Sequence, residues 1–218
     1  FDMGMVLLDH DPLLPCIRHA GHERAQALCD GIFWHPEWIG LLDSGEMDEQ
    51  SYVPLAQSRF EDPEMKRLVP EILSDWYLDA LYPKSGMEAV QKDLLDRGFR
   101  LYVLSNAGFT FHKFSYKIKY IQQFSGIVVS AEERILKPDP AIYHLACRCI
   151  GTPEANCAYV GDNPVRDVEG TQAAGFGMMI RIDEPDTLNK EKATGKEFTP
   201  DHVITSLSEL LDIFPERA

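Results

Sequence analysis

The stretch NCAYVGDNPVRDVEGTQAAG, residues 156–175, contains the pattern that decides the fold prediction. Its first part, residues 156–163, is a short and mostly apolar run, which predicts a buried β-strand. Its second part, residues 164–175, has helical character and ends at a glycine, which predicts a helix. Two carboxylates, Asp162 and Asp167, therefore lie where a strand passes into a helix.

Strands and helices alternate along the last two thirds of the chain. The predicted strands span residues 99–106, 127–130, 156–163, 176–182 and 201–205. The predicted helices span residues 85–98, 139–151, 164–175 and 206–214. Because the strands are continuous apolar runs, the pattern is typical of an α/β fold, with a parallel sheet covered by helices on both faces.

Residues 12–83 have a different character. They are rich in helix formers and aromatic residues, among them Trp34 and Trp76, and contain no convincing strand. We therefore predict a helical cap domain at residues 12–83, inserted into a core made of residues 1–11 and 84–218. The polar segment 183–200 predicts a long surface loop.

The overall composition excludes several classes of protein. The chain has 218 residues and a net charge of −14, which disfavours binding to nucleic acids and to anionic membranes. No apolar run approaches the roughly 20 residues of a membrane span, and no signal peptide is evident. The five cysteines lack a CxxC motif and favour reduced thiols. We expect a cytoplasmic protein that is a monomer or homodimer.

The ends of the predicted strands carry polar residues that suit phosphate chemistry. They are Asp2, Ser105, Asn106, Lys137, Asp162 and Asp167. In a parallel sheet these ends meet at one edge, where the carboxylates would repel one another without a cation such as Mg²⁺. Ser105 and Lys137 supply a hydrogen bond and a positive charge for phosphate oxygens. Asp2 could then attack phosphorus and form an aspartyl-phosphate.

Four segments together resemble the ordered motifs of the haloacid dehalogenase superfamily. They are FDMGMV at 1–6, LSN at 104–106, LKPDPAIY at 136–143 and VGDNPVRD at 160–167. The resemblance implies a Rossmann-like core, a helical cap and Mg²⁺-dependent hydrolysis of a phosphate ester. It makes Asp2 the nucleophile and a metal ligand, with the Gly4 carbonyl and Asp162 as further ligands and Asp167 supporting the metal site.

The first motif departs from the pattern of family phosphatases, which carry DxD and use the second aspartate to protonate the leaving group. Here that position is Gly4, although a general acid is typically worth about 10²–10⁴-fold in rate. The chain therefore uses another acid, relies on water, acts on a good leaving group, or is slow.

The residues after the first motif offer candidates for the missing acid. The form DxGxVxxDxD, which includes Asp9 and Asp11, is similar to a branch that contains bacterial glucose-1-phosphate phosphatases. Asp9, His10 and Asp11 are candidate acids or groups that bind substrate hydroxyls. Ser105 and Lys137, with Asn106 beside them, are the candidate phosphate-binding residues.

The sequence favours a phosphatase that acts on a small phosphorylated metabolite, with a sugar phosphate as the expected substrate. A haloacid dehalogenase also lacks the second aspartate, but it needs no metal and would not require Asp162 and Asp167. A phosphate-binding protein without turnover is a further alternative, and the two aspartates could also cap a helix. Trp34 and His35 could form a substrate pocket, although packing within the cap is the favoured interpretation.

Overall fold

The computed structural model describes residues 1–183 and 199–216, so most of the predicted loop at 183–200 lies outside the described residues. The strands in this part are β1 Leu8–His10, β2 Leu81–Pro83, β3 Tyr102–Ser105, β4 Gly126–Val129, β5 Ala158–Gly161, β6 Met178–Ile182 and β7 His202–Ile204. The α-helices are α1 Leu13–Ile32, α2 Glu49–Gln57, α3 Pro63–Asp75, α4 Tyr77–Ala80, α5 Met87–Asp96, α6 Phe111–Phe114, α7 Ser130–Glu133, α8 Pro140–Ile150, α9 Gly170–Ala174 and α10 Leu210–Ile213. Two π-helical turns, Trp38–Asp43 and Pro164–Glu169, lie next to the candidate site.

The core sheet is parallel and is joined in its middle by the first two residues. β3 pairs with β4, and β6 lies between β5 and β7. Leu104 N–H donates to the Phe1 carbonyl at 3.0 Å, and Asp2 N–H donates to the Val160 carbonyl at 2.9 Å. Residues 1–2 thus connect β3 to β5 and give the order β7-β6-β5-(1–2)-β3-β4. The predicted α/β fold with a Rossmann-like core is confirmed.

Both faces of this sheet are buried, which explains why its strands are continuous apolar runs. On β5 and β6, Val160 and Ile180 belong to the large hydrophobic core that also contains the cap residues. Tyr159 and Met179, which alternate with them, belong to a second cluster that includes Ile142 of α8. Helices therefore cover the sheet on both sides, as the sequence pattern predicts.

The region predicted as a cap consists mainly of helices. α3 packs against both α1 and α2, and buried apolar residues such as Leu28 and Ile72 fill the space between them. Gly21 interrupts α1 with a φ of +70°, a conformation that favours glycine. No helix among the described residues combines the length and the apolar character that crossing a membrane requires.

The expectation that residues 12–83 contain no strand was wrong. β2, Leu81–Pro83, pairs antiparallel with β1, Leu8–His10. Three residues are too short to produce a visible alternation, and this strand depends on a partner more than 70 positions away in the sequence. β1 lies just before the first predicted boundary and β2 just before the second, so the pair joins the predicted core to the predicted cap. The division at residues 11/12 and 83/84 stays a prediction.

Candidate active site

The structure gathers the polar residues from the strand ends around one cavity. Ser105 is the last residue of β3, and Asp162 directly follows β5. Asp2 and Lys137 approach from the neighbouring segments, and all four residues line a cavity of about 240 Å³. This arrangement agrees with the general rule that ligands of open α/β sheets bind beyond the carboxyl ends of the strands.

Lys137 is the centre of a buried charge network. Its Nζ lies 3.0 Å from Asp2 Oδ1 and 2.7 Å from Asp167 Oδ1, and it donates to the Tyr159 hydroxyl at 2.9 Å. Burial opposes the charged ammonium, but the two carboxylates outweigh burial and raise the pKa of Lys137. The lysine is therefore cationic at neutral pH and lies directly beside the candidate nucleophile.

Asp167 is fully buried below the cavity. Its Oδ2 accepts hydrogen bonds from Asp162 N–H at 3.1 Å and Asn163 N–H at 2.9 Å, while Oδ1 contacts Lys137. Burial raises the pKa of Asp167, although Lys137 counteracts this effect. A Cβ at Gly161 would lie 2.5 Å from the Asp167 carboxylate, so a glycine is required there. Asp167 thus fixes the loop that carries Asp162.

Three carboxylates lie close enough to share a cation. One oxygen from each of Asp2, Asp162 and Asp167 lies within 4.8 Å of the other two. Hard carboxylate oxygens suit Mg²⁺, and a divalent ion would relieve the repulsion that Lys137 alone offsets only in part. The donor set therefore fits the expected metal, with Asp2 and Asp162 bordering the cavity and Asp167 beneath them.

Asn106 lines the cavity and also holds Lys137 in place. Its side-chain Nδ2 donates to the Lys137 carbonyl at 3.1 Å, and its Oδ1 accepts from the Lys137 N–H at 2.8 Å. Both ends of the amide therefore contact the backbone of Lys137, and binding of phosphate by Asn106 stays a prediction. Asn106 positions Lys137, while the Ser105 hydroxyl makes only a long 3.4 Å contact to the Asn106 carbonyl.

Asp9 and Asp11 are not among the residues that line the cavity, and their assignment as substrate-binding residues stays a prediction. Asp9 forms a 2.8 Å ion pair with the buried Lys84, and Asp11 accepts from the Leu13 N–H at the start of α1. Both carboxylates stabilise the junction where the strand pair meets the cap. The residue of this segment that reaches the cavity is His10, and burial lowers its pKa to about 4.

Aromatic side chains from the cap form a wall of the cavity. Trp34 is 50% exposed and lies 6.3 Å from the His10 ring, measured between centroids. Trp38 and Trp76 pack edge to face at 5.5 Å. Phe33 and Trp38 pack against Tyr52 and Trp76, as the favoured interpretation expects, and Trp34 and His35 also line the cavity. The sequence did not show that this segment folds back over the strand ends.

Four further polar residues border the cavity that the sequence did not single out. They are Asp43 at the end of the first π-helical turn, Glu49, Thr110 and Arg166. Arg166 lies inside the fourth motif and could have been chosen on that ground. Asp43 and Thr110 belong to no recognisable motif, and only the folded structure places them near Asp2.

Comparison with known proteins assigns the chain to a family. The family model of haloacid dehalogenase-like hydrolases matches residues 35–175. Haloacid dehalogenase-like hydrolase domain-containing protein 3 of Bos taurus is 26% identical over 186 residues, which cover 83% of this chain and 68% of that protein. Phosphoserine phosphatase of Thermus thermophilus is 33% identical over 107 residues, which cover 44% of this chain and 38% of that protein.

The solved structures agree on the fold. The L-2-haloacid dehalogenase from Xanthobacter autotrophicus superposes with a TM-score of 0.72 at 16% identity, covering 98% of this chain and 96% of that chain. Its likeness at this identity concerns the fold alone. The match over residues 35–175 includes three of the four sequence motifs and confirms the resemblance to the superfamily. The chain belongs to the haloacid dehalogenase-like hydrolase family.

Proposed function

We propose that this chain is a Mg²⁺-dependent phosphatase that hydrolyses a small phosphomonoester through an aspartyl-phosphate on Asp2. The observation that carries the proposal is the pairing of Lys137 Nζ with Asp2 Oδ1 at 3.0 Å, beside two further carboxylates that fit a divalent ion. A dianionic phosphate needs positive charge next to the nucleophile, and Lys137 together with a bound divalent ion would supply it. The phosphoserine phosphatase among its relatives supports the same chemistry.

Each residue of the site has a different role in the proposed phosphoryl transfer. Asp2 Oδ1 accepts hydrogen bonds from the Met3 N–H at 2.7 Å and from Lys137, which leaves Oδ2 for attack on phosphorus. Lys137 and the Ser105 hydroxyl hold phosphate oxygens and stabilise the charge that develops on them. Water then attacks the phosphorus of the aspartyl-phosphate and releases Asp2.

The proposed metal site uses the carboxylates of Asp2 and Asp162 and the backbone carbonyl of Gly4. Asp167 supports it from below, because its two oxygens already fix Lys137 and the loop at Asp162. A bound Mg²⁺ supplies charge stabilisation for the phosphate oxygens. Lys137 then provides the positive charge that comes from the protein itself.

The cavity favours a small organic phosphate, with a sugar phosphate as the proposed substrate. Its volume of about 240 Å³ suits a small metabolite, and the wall that contains Trp34 and Trp38 offers an apolar surface to the carbon face of a ring. Trp76 Nε1 and Thr110 Oγ1 are buried without a hydrogen-bond partner among the described residues. Buried polar groups ordinarily have partners, so these two are available to substrate oxygens.

The test is hydrolysis of 4-nitrophenyl phosphate and of a panel of sugar phosphates with Mg²⁺, comparing the wild type with Asp2→Asn. Asp2→Asn keeps the shape of the side chain and removes the nucleophile, so turnover is expected to fall below detection. A protein that hydrolyses none of these esters, or whose hydrolysis survives in Asp2→Asn, would contradict the proposed function.

A haloacid dehalogenase is the second candidate, because Gly4 replaces the expected acid and the fold resembles that of the Xanthobacter dehalogenase. Such an enzyme would use the same aspartate to displace halide from carbon. Release of chloride from 2-chloropropionate without added metal would favour it. The cluster of three carboxylates from Asp2, Asp162 and Asp167 favours the phosphatase, since a dehalogenase needs no cation there.

A further inference from the structure

The end of the first π-helical turn is fixed over the strand ends. The Ser130 hydroxyl donates to the Asp43 carbonyl at 2.6 Å and accepts from the Ala107 N–H at 3.0 Å. Gly45, with a φ of +75°, lies so close to α7 that a Cβ there would be 2.0 Å from the Ala131 carbonyl oxygen. Asp43 is therefore held against the loop that follows Ser105, although it belongs to the inserted region.

Asp43 lines the same cavity as Asp2 and is only 8% exposed. The charged groups that act on it are Arg166, Asp2, Glu49 and Lys137. Burial is the largest influence and raises the pKa of Asp43 to about 7, with Asp2 and Glu49 acting in the same direction and the two cations against it. A substantial fraction of Asp43 is thus protonated at neutral pH.

Other ionisable residues on the cavity wall are less suited to give up a proton. His35 is more open to water than Asp43, with 37% of its side chain exposed. His10 is uncharged at neutral pH, since burial lowers its pKa to about 4. Asp2 and Asp162 are committed to the nucleophile and the metal site. Glu49 also has a raised pKa, but it is half-buried at the first turn of α2 and is more open to water than Asp43.

We propose that Asp43 is the general acid that protonates the leaving group in place of the acid missing at Gly4. The proposal rests on the phosphatase function, because it concerns the leaving oxygen of a phosphate ester. It adds to the site a catalytic residue that comes from the inserted region instead of from the strand ends.

The proton balance of the two steps is complete. When an oxygen of Asp2 bonds to phosphorus, the bond from phosphorus to the leaving oxygen breaks, and the proton of Asp43 passes to that oxygen. The leaving group departs as an alcohol and Asp43 becomes a carboxylate. In the second step this carboxylate takes a proton from the attacking water, the bond from phosphorus to Asp2 breaks, and Asp43 is protonated again.

The test compares Asp43→Asn with the wild type on substituted phenyl phosphates whose phenols range from acidic to weakly acidic. We expect the variant to hydrolyse 4-nitrophenyl phosphate at nearly the wild-type kcat/KM, because that phenolate leaves without a proton and kcat/KM does not include the second step. On phenyl phosphate and on a sugar phosphate its kcat/KM should fall by about tenfold or more, toward the 10²–10⁴-fold typical of a lost general acid. Retained activity on the nitrophenyl ester also shows that the variant is folded.

Two further variants make the outcome decisive. Asp43→Glu keeps the acid and should restore part of the activity on phenyl phosphate. Glu46→Gln neutralises an exposed acidic residue three positions from Asp43 that does not line the cavity, and it should show the wild-type dependence on the leaving group. An equal loss of kcat/KM for Asp43→Asn on all esters, or no loss on any, overturns the assignment. If the wild type hydrolyses no ester, the proposed function itself fails, which is a distinguishable result.

Discussion

Lys137 shows how a single buried residue determines the chemistry of the site. Its ammonium is fully enclosed, yet it stays charged because Asp2 and Asp167 both contact it. Breaking such a buried pair by removing one partner typically costs about 3–5 kcal/mol, since the other charges remain buried without compensation. The same residue that partly offsets the charge of the carboxylates therefore also positions Asp2 for the proposed attack.

Gly4 is the residue at which this chain differs most from the expected phosphatase pattern, and the structure leaves room to change it. A Cβ at Gly4 would meet no atom within 4 Å. We expect Gly4→Asp to fold normally and to raise kcat on phenyl phosphate by about tenfold or more, because it supplies an acid beside Asp2. Steady-state kinetics on graded phenyl phosphates would measure this gain.

The control for that substitution is Gly4→Ala, which fills the same space without an acid and should bring no gain. The gain should be larger when Gly4→Asp is combined with Asp43→Asn, because the new acid then replaces one that is absent. Equal kcat values for Gly4→Asp and Gly4→Ala on phenyl phosphate would mean that the side chain at position 4 does not reach the leaving oxygen.

The π-helical turn Trp38–Asp43 and the residues after it connect the inserted region to the core. Gly45 permits this contact, since it combines a φ of +75° with a backbone approach that excludes any side chain. Ser130 fixes the same connection from the start of α7 through its bond to the Asp43 carbonyl. The position of the aromatic wall and of Asp43 therefore depends on one close contact between two elements.

Gly45→Ala is expected to destabilise the protein by about 2 kcal/mol or more, because the new methyl group would meet the Ala131 carbonyl in a strained backbone conformation. Activity on phenyl phosphate should fall with it, since Asp43 moves away from the leaving group. Urea unfolding and kinetics would measure the two effects.

Gly40→Ala is the matched control for this prediction. It lies in the same π-helical turn, where a Cβ would meet nothing within 4 Å, so its effect on stability should stay below about 1 kcal/mol. If both alanine variants were equally stable and active, the close contact at Gly45 would not hold the turn in place.

At the scale of elements, prediction from the sequence succeeded where periodicity was strong. Strands β3, β5, β6 and β7 and helices α5 and α8 lie within the predicted ranges, and β4 begins one residue before its range, because each carries a recognisable apolar pattern. The strand pair β1–β2 was missed, since each strand has three residues and depends on the other for its hydrogen bonds.

At the scale of the whole molecule, the candidate metal site ties distant parts of the chain together. Asp2 is the second residue of the sequence, whereas Asp162 and Asp167 follow β5 about 160 positions later. Their carboxylates bring three of the negative charges of a chain with a net charge of −14 close together. A divalent ion bound there would stabilise the folded state only, because the three oxygens come together through folding.

We therefore expect Mg²⁺ to raise the Tm of the protein and EDTA to reverse the effect. At a concentration of 100 times its Kd, an ion that binds only the folded state contributes about 2.7 kcal/mol, or roughly 5–10 °C for a chain of this size. Asp162→Asn should reduce this shift strongly, and differential scanning calorimetry would measure it.

Asp139→Asn is the control, because Asp139 is exposed and its side chain accepts a hydrogen bond from the Ala141 N–H, which asparagine can also do. It should keep the full Mg²⁺-dependent shift. A shift that survives in Asp162→Asn would place the ion at a different site.

The sequence by itself determined the alternation of strands and helices, the parallel sheet and the family, because apolar periodicity and ordered motifs are contained in continuous stretches of sequence. Tertiary structure decided the rest. Asn106 holds Lys137, Asp9 pairs with Lys84, and Asp43 lines the same cavity as Asp2, although these residues are far apart in sequence. Such contacts leave no spacing pattern, since they arise only when the inserted region packs over the strand ends and burial changes what each side chain can do.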